Sequence, residues 1–443
     1  MTKQGLFISS DGCNQLKIFC LISLLFLVLG FSTGMIDILN KHFQNTLEIT
    51  RAKSALIQFA NYISYFFVAI PAGILAQKYG YKAGIIVGLS LIICGTSTFM
   101  VATTIGEYIF FLAGIFILAA GLTFIETIAN PYVIILGSKD GGAARLNISQ
   151  SIAGLGLIFG PLIGGHFVLS ATGEVSKTND GLFVPYLGIF IAVTLILLVF
   201  SRTKVPEVVP EADERIRISD RTFWKYPHFV FAVIAQFLYV AGQTGIFSFF
   251  INYVVEHSPA MSAEVASILP VTWSYNAADL YRITERGASQ MLAFGGFGLF
   301  MIGRLTGGIL LSKIKTHVVL TTFALINSVL MVVIIYSDGY VATISLILSF
   351  YFMSIMFPAI FSLGIAGLGG QTKKASSVIV MSIVGGAVMP IVMGAIADHY
   401  DMAVGFIMPL LCFLFILFYA IVWPKLYRGP KSLGGEGRPA TTH

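Results

Sequence analysis

"SRTKVPEVVPEADERIRISDRTFWKYPH", residues 201–228, is the stretch on which the fold turns. It is a long polar run in a chain of 443 residues that is 56% hydrophobic and only 11% charged, and its prolines and mixed charges are those of a linker. On either side of it the sequence runs in apolar blocks of about twenty residues, each long enough to cross roughly 30 Å of hydrocarbon as a helix. Inside lipid a helix is the open-ended element that satisfies all its own backbone polar groups. The blocks before the linker are 16–39, 54–76, 83–103, 107–136, 146–169 and 184–200. Those after it are 229–255, 290–312, 317–336, 341–369, 373–397 and 402–423. This pattern predicts an all-α integral membrane protein of twelve spans, with one six-helix bundle in 1–200, a linker in 201–228 and a second bundle with a short tail in 229–443. The first block is too long for a signal-peptide core and precedes no small-residue cleavage site, so it reads as a retained helix.

Charge supplies the orientation. The termini and the loops that follow even-numbered blocks hold 20 of the 27 lysines and arginines, the opposite loops hold six, and Arg304 lies inside the eighth block. The bias predicts both termini on the cytoplasmic side of the inner membrane. The net charge of +6 is then a topology signal, and no nucleic-acid partner is expected. Cys13, Cys20, Cys94 and Cys412 have no metal-ligand spacing, so neither a disulfide framework nor a metal is expected.

The two halves carry a short internal repeat. Pro131 precedes Gly137 as Pro358 precedes Gly364, with Arg145 following in one copy and Lys373 in the other. "GLIFGPLIGG" (156–165), with Pro161, is echoed by "GAVMPIVMG" (386–394), with Pro390. Two parallel six-helix halves joined by a linker are the architecture of the major facilitators, where substrate binds at the midplane between halves.

Ionisable residues within apolar blocks are costly, so each needs a cavity, a partner or a proton. Glu126 lies deep in the fourth block, where handling of protons or substrate outweighs a structural pair. Asp37 lies near the outer end of the first block, where interfacial solvation competes with function, and Arg304 reads as a snorkelling or gate-side cation. Asn130, Asn147 and Gln150, then Gln236, Tyr239 and Gln243, form two polar clusters. They are either interhelical hydrogen-bonding groups or a site for a polyhydroxylated solute, which needs donors and acceptors together.

Several ordered motifs resemble the fucose, galactose and glucose proton-symporter family of the major facilitators. They include "DILNKHFQ" (37–44), "IPAGILAQKYGYKAGII" (70–86), "AAGLTFIETIANPYVIILG" (119–137), "RLNISQ" (145–150), "AQFLYVAGQT" (235–244), "IGRLTGG" (302–308) and "FPAIFSLGIAGLG" (357–369). The resemblance implies a proton-coupled sugar importer, with L-fucose the expected sugar and glucose or galactose the alternative. It implies that Asp37 and Glu126 carry the proton, that Glu126 also binds sugar, and that Gln150 lines the same cavity. No cofactor beyond the proton gradient is implied, and the expected partners are a monosaccharide, H+ and the bilayer, the chain acting as a monomer.

The chain departs from the family at "TGMI" (33–36), where asparagines precede the aspartate, and at Met356, where the family carries a polar residue. The loop 256–289, containing "SILPVTWSYNAADLYRITERG", is unusually long and is expected to fill space outside the membrane. "GLIFGPLIGG" also resembles the glycine-proline motif of drug/proton antiporters, which makes an exporter the runner-up. A non-transporting sensor would need a large signalling segment, and an enzyme would need a nucleophile, metal set or phosphate loop; the sequence points to neither.

Overall fold

The computed structural model describes residues 7–8, 14–136, 142–169, 180–205, 222–277, 280–368 and 372–427. These residues contain twelve helices long and apolar enough to cross a membrane. The first half comprises α1 (Leu16–Thr46), α2 (Arg51–Ala76), α3 (Lys78–Ile105), α4 (Tyr108–Val133), α5 (Ile148–Val168) and α6 (Gly181–Arg202). The second comprises α7 (Pro227–His257), α8 (Glu285–Leu311), α9 (Thr316–Tyr336), α10 (Tyr340–Ile365), α11 (Val378–His399) and α12 (Met402–Leu426). The segment from 206 to 221, most of the sequence's linker, lies outside the described residues.

The helix ends depart from the apolar blocks in an instructive way. α1 runs on to Thr46 because its polar last turns are covered: Asn40, His42 and Phe43 are all buried. Asp37 is therefore more than two turns inside the helix rather than at its mouth. Gly80, at φ 86 and ψ 165, breaks the helical run just inside the start of α3, and Gly106, at φ 78, ends α3; both conformations favour glycine.

Packing within the first half depends on small residues. A Cβ added to Gly160 of α5 would lie 2.7 Å from the carbonyl carbon of Gly34 and 2.8 Å from its Cα, both on α1. Gly156 and Gly30 make comparable backbone approaches between the same two helices. The glycines of "GLIFGPLIGG" are thus used in close helix packing, the contact that drives association where lipid removes the hydrophobic difference. Gly160→Val is expected to force α1 and α5 apart and to lower the melting temperature of detergent-solubilised protein, by a cost of roughly 1–3 kcal/mol for overpacking. Gly188→Ala, where nothing lies within 4 Å, is expected to leave it unchanged.

The repeat maps onto matching helices, with Pro131 in α4 and Pro358 in α10, Pro161 in α5 and Pro390 in α11. The second half is the more interrupted. α8 contains a π-helical segment, Met291–Phe297, α10 is broken between Met353 and Met356, and α11 contains a 3-10 turn at Ser382–Val384. Irregularities of this kind collect at functional sites, because they re-aim the residues that follow.

The long loop before α8 has structure of its own, a short helix Ala263–Ile268 and a hairpin of β1 (Ser274–Ala277) and β2 (Leu280–Ile283) with Ser274 opposite Ile283. Met261 pairs with Tyr281 across it. The loop leads directly into the first turn of α8, which is tied to the first half: Glu285 accepts from Asn45 Nδ2 at 2.8 Å, and Arg286 Nη2 donates to the His166 carbonyl at 2.7 Å.

Candidate substrate and proton site

Two carboxylates lie inside the first half, in different surroundings. Asp37 of α1 is 4% exposed; Gln58 of α2 donates to its Oδ1 at 2.8 Å, and its Oδ2 has no partner among the described residues. Glu126 of α4 is half-buried. Tyr65 of α2, and Arg304 of α8 from the other half, lie within electrostatic reach of it. Tyr62 lies one turn of α2 before Tyr65 and is within electrostatic reach of both Asp37 and Glu126.

Around Glu126 a chain of amides links α4 to α5. Asn130 Nδ2 donates to the backbone carbonyl of Glu126 at 2.9 Å, and Gln150 Nε2 donates to Asn130 Oδ1 at 3.0 Å. Gln150 is held in place by this bond and lines a cavity of about 440 Å³ between α5 and α8. The opposite wall carries Arg304, whose guanidinium lies 4.7 Å from the ring centroid of Phe300. Arg304 is solvent-accessible through this cavity even though protein surrounds it. It does not snorkel to an interface; its charge points into the space between the halves.

The residues singled out in the sequence divide into three groups. Asn130 and Gln150 are hydrogen-bonded to one another, and the chain ends on the backbone carbonyl of Glu126. Gln236, Tyr239 and Gln243 share one face of α7, at helical spacing. Tyr239 is fully buried and its hydroxyl donates to the Met353 carbonyl at 3.0 Å, at the break in α10; its ring is also within electrostatic reach of Arg304. Gln236 is fully buried with neither amide atom partnered among the described residues, and Gln243 is half-buried. The Asn147 side chain lies outside the described residues. Sequence reasoning missed Tyr62 and Tyr65, whose signal is the two phenol hydroxyls, with Ser64 between them, in "YISYFF" (62–67).

The halves are tied together at the end opposite the chain termini. Arg51 of α2 pairs with Glu256 of α7 at 2.7 Å, and Asp398 of α11 accepts from the backbone N–H groups of Arg51 and Ala52 at 2.8 and 2.9 Å. A carboxylate at a helix N-terminus is stabilised by the unsatisfied donors there. Lys41 pairs with Glu285 at 3.5 Å, and Asn252 Nδ2 donates to Gln44 Oε1 at 2.6 Å. Glu256, His257 and Asp401 each offer a metal-ligand atom within 4.8 Å of the others, but Arg51 engages Glu256, and His257 Nε2 lies 3.2 Å from Asp401.

This latch is partly exposed, so each ion pair contributes about 1 kcal/mol or less. Glu256→Gln alone is therefore expected to shift the balance between conformations by up to about fivefold. Asp398→Asn combined with it is expected to shift the balance further, read as a longer spin-label distance between the α2 and α11 ends.

The sequence profile described as Major Facilitator Superfamily matches residues 22–382. The chain belongs to that superfamily. Within it, the chain is 35% identical over 427 residues to the L-fucose-proton symporter of Escherichia coli (strain K12), covering 91% of this chain and 92% of that protein. It is 32% identical over 406 residues to a glucose/galactose transporter of Brucella abortus (strain 2308), covering 91% and 93%. The crystal structure of the major facilitator FucP in its outward conformation superposes with a TM-score of 0.65 at 35% identity, covering 92% of this chain and 99% of that one. These relatives place the chain among the sugar transporters of the superfamily.

Proposed function

We propose that the protein is a proton-coupled sugar symporter that imports a hexose or deoxyhexose by alternating access, with L-fucose the first candidate and D-galactose and D-glucose next. The observation that carries this reading is the cavity between the halves, where Gln150, hydrogen-bonded to Asn130 one turn beyond Glu126, lines one wall and Arg304 of the other half lines the opposite wall. Sugar hydroxyls, which donate and accept, fit the amides and one protonation state of the acid.

In this reading residues 1–200 and 229–443 are the two moving halves, 201–228 is their cytoplasmic linker, and both termini are cytoplasmic. The latched end then faces the periplasm, and the conformation described here is closed to the outside. Protons reach Asp37 while the outer side is open, and sugar binds with Glu126, Asn130, Asn147 and Gln150 on one half and the α7 face of Gln236, Tyr239 and Gln243 on the other. Burying a carboxylate charge with a single hydrogen bond costs several kcal/mol, so closure over Asp37 is coupled to its neutralisation. Arg304 opposite Glu126 favours release of the proton and sugar inside.

The test is uptake of labelled L-fucose, D-galactose and D-glucose into proteoliposomes with an imposed inward proton gradient. One sugar is expected to accumulate above its external concentration and to leave when a protonophore is added. Equilibration without accumulation for all three, with the protein shown to be inserted, would contradict the reading.

A further inference from the structure

The first half carries another cavity on its side away from the solute site. It is a groove of about 660 Å³ between α2 and α4, lined by apolar side chains alone. Ala60 of α2 and Ala113 of α4 are the small residues of its wall, and Leu56, Phe67, Ile109 and Phe116 are larger side chains around them. The positions fall at helical spacing, so each helix contributes one face, and on α2 it is the face opposite Gln58 and Tyr65. Phe67 and Ile109 are 61% and 63% exposed, which leaves the groove open along a surface that spans the bilayer. A pocket of this volume without a polar group suits hydrocarbon, and a polar solute would find no partner in it.

Length and charge say which hydrocarbon. From Leu56 to Phe67 α2 rises about 16 Å, close to half of a hydrocarbon core roughly 30 Å thick. The groove therefore starts near the latched ends of α2 and α4 and runs through one leaflet, the depth that one acyl chain occupies. At its mouth the Tyr108 hydroxyl lies 3.0 and 2.9 Å from the carbonyls of Lys53 and Ser54, which ties the first turns of the two helices together at the level where tyrosines meet lipid headgroups. Lys53 stands one turn before Leu56, and Glu107 immediately precedes α4. Both are exposed, and neither is held in an ion pair among the described residues. A free cation and a free anion beside one apolar groove complement a headgroup that carries both a phosphate and an ammonium.

We infer that the groove between α2 and α4 is a binding site for one acyl chain of an aminophospholipid, phosphatidylethanolamine in chemical class, with its phosphate on Lys53 and its ammonium on Glu107. The inference goes beyond the sugar-carrier reading and does not depend on which solute the protein carries. The bound chain backs the latched half of α2 from the lipid side, behind the turn on which Gln58 holds Asp37.

The test is native mass spectrometry of the full-length protein released from nanodiscs that hold equal amounts of phosphatidylethanolamine and phosphatidylglycerol with the same acyl chains. The parent chain is expected to retain one phosphatidylethanolamine in preference to phosphatidylglycerol. Lys53→Gln is expected to lower retention of both lipids by up to about fivefold, the scale of one exposed ion pair, and Glu107→Gln to remove the preference between them. Ala113→Phe fills the groove at an exposed position and is expected to lose the retained lipid. Leu195→Phe, at a 58% exposed position on α6, is the control for a bulkier side chain facing lipid and is expected to keep it.

A melting curve in each lipid gives an independent reading, because a ligand of the folded state raises the melting temperature. The parent chain is expected to melt higher with phosphatidylethanolamine than with phosphatidylglycerol, and Ala113→Phe to melt alike in both. Equal retention of the two lipids by the parent chain, or a preference that survives in Ala113→Phe, overturns the site and leaves general annular lipid only. A dimer of the parent chain that Ala113→Phe dissociates also overturns it, and gives the groove to a second copy.

Discussion

Glu126→Gln will abolish uphill accumulation of sugar while leaving sugar-for-sugar exchange in place. Glutamine keeps the length and the hydrogen-bonding capacity of the acid, and the bond from Asn130 goes to the backbone carbonyl of residue 126, which the substitution leaves in place. What is lost is the ability to cycle between charged and neutral. The loaded carrier can still turn, because it needs a neutral group at 126, and exchange uses only that turn. Net coupled uptake also needs an empty carrier that has given up its proton opposite Arg304, and the amide has none to give. Internal sugar is expected to fall from a gradient to equilibration with the outside, measured as steady-state uptake at an imposed pH difference beside counterflow of preloaded sugar. Full accumulation in this variant would remove Glu126 from the coupling.

Asp37→Asn will give the complementary phenotype, a carrier that turns outward poorly and takes up sugar without accumulating it. Asp37 is held by one hydrogen bond from Gln58, with its second oxygen unpartnered among the described residues. A permanently neutral amide removes the cost of closing the outer side, several kcal/mol for a buried unpaired charge. The latched conformation therefore gains population, and the apparent affinity for external sugar weakens by the fraction of carrier still open outward. The expected result is a higher KM for external sugar at least tenfold, with uptake no longer responsive to the pH difference; a tenfold change corresponds to about 1.4 kcal/mol. Retained pH-driven accumulation would return Asp37 to a structural role.

Much of the fold was legible because a bilayer imposes one rule, that about twenty apolar residues make a span, and the chain obeys it twelve times. What periodicity could not supply were the ends. The polar turn Asn40–Thr46 reads as a loop yet continues α1, since the partners that cover it come from α7 and α8, far away in sequence. The site was legible where one residue type is improbable in lipid: Glu126 stood out, and so did the amides near it. For Arg304 the sequence left a snorkelling and a gate-side reading open, because depth along a helix does not say which way the side chain points, and its place on the cavity wall favours the second. Tyr62 and Tyr65 were passed over because a tyrosine in an apolar block is unremarkable by composition. Their role follows from lying on the turn of α2 that meets both acids. The ties of the first turn of α8 to the first half were out of reach of the sequence, because Glu285 and Arg286 look like any charged residues at a membrane interface.

The central claim is that sugar and proton cross together. External pH in weakly buffered, de-energised cells making this protein, recorded after pulses of L-fucose, D-galactose, D-glucose and a neutral control solute, tests it most directly. One sugar is expected to alkalinise the medium in the parent chain and to leave it unchanged with Glu126→Gln. No alkalinisation with any of the sugars, in cells where the protein is inserted and labelled sugar enters, would contradict it.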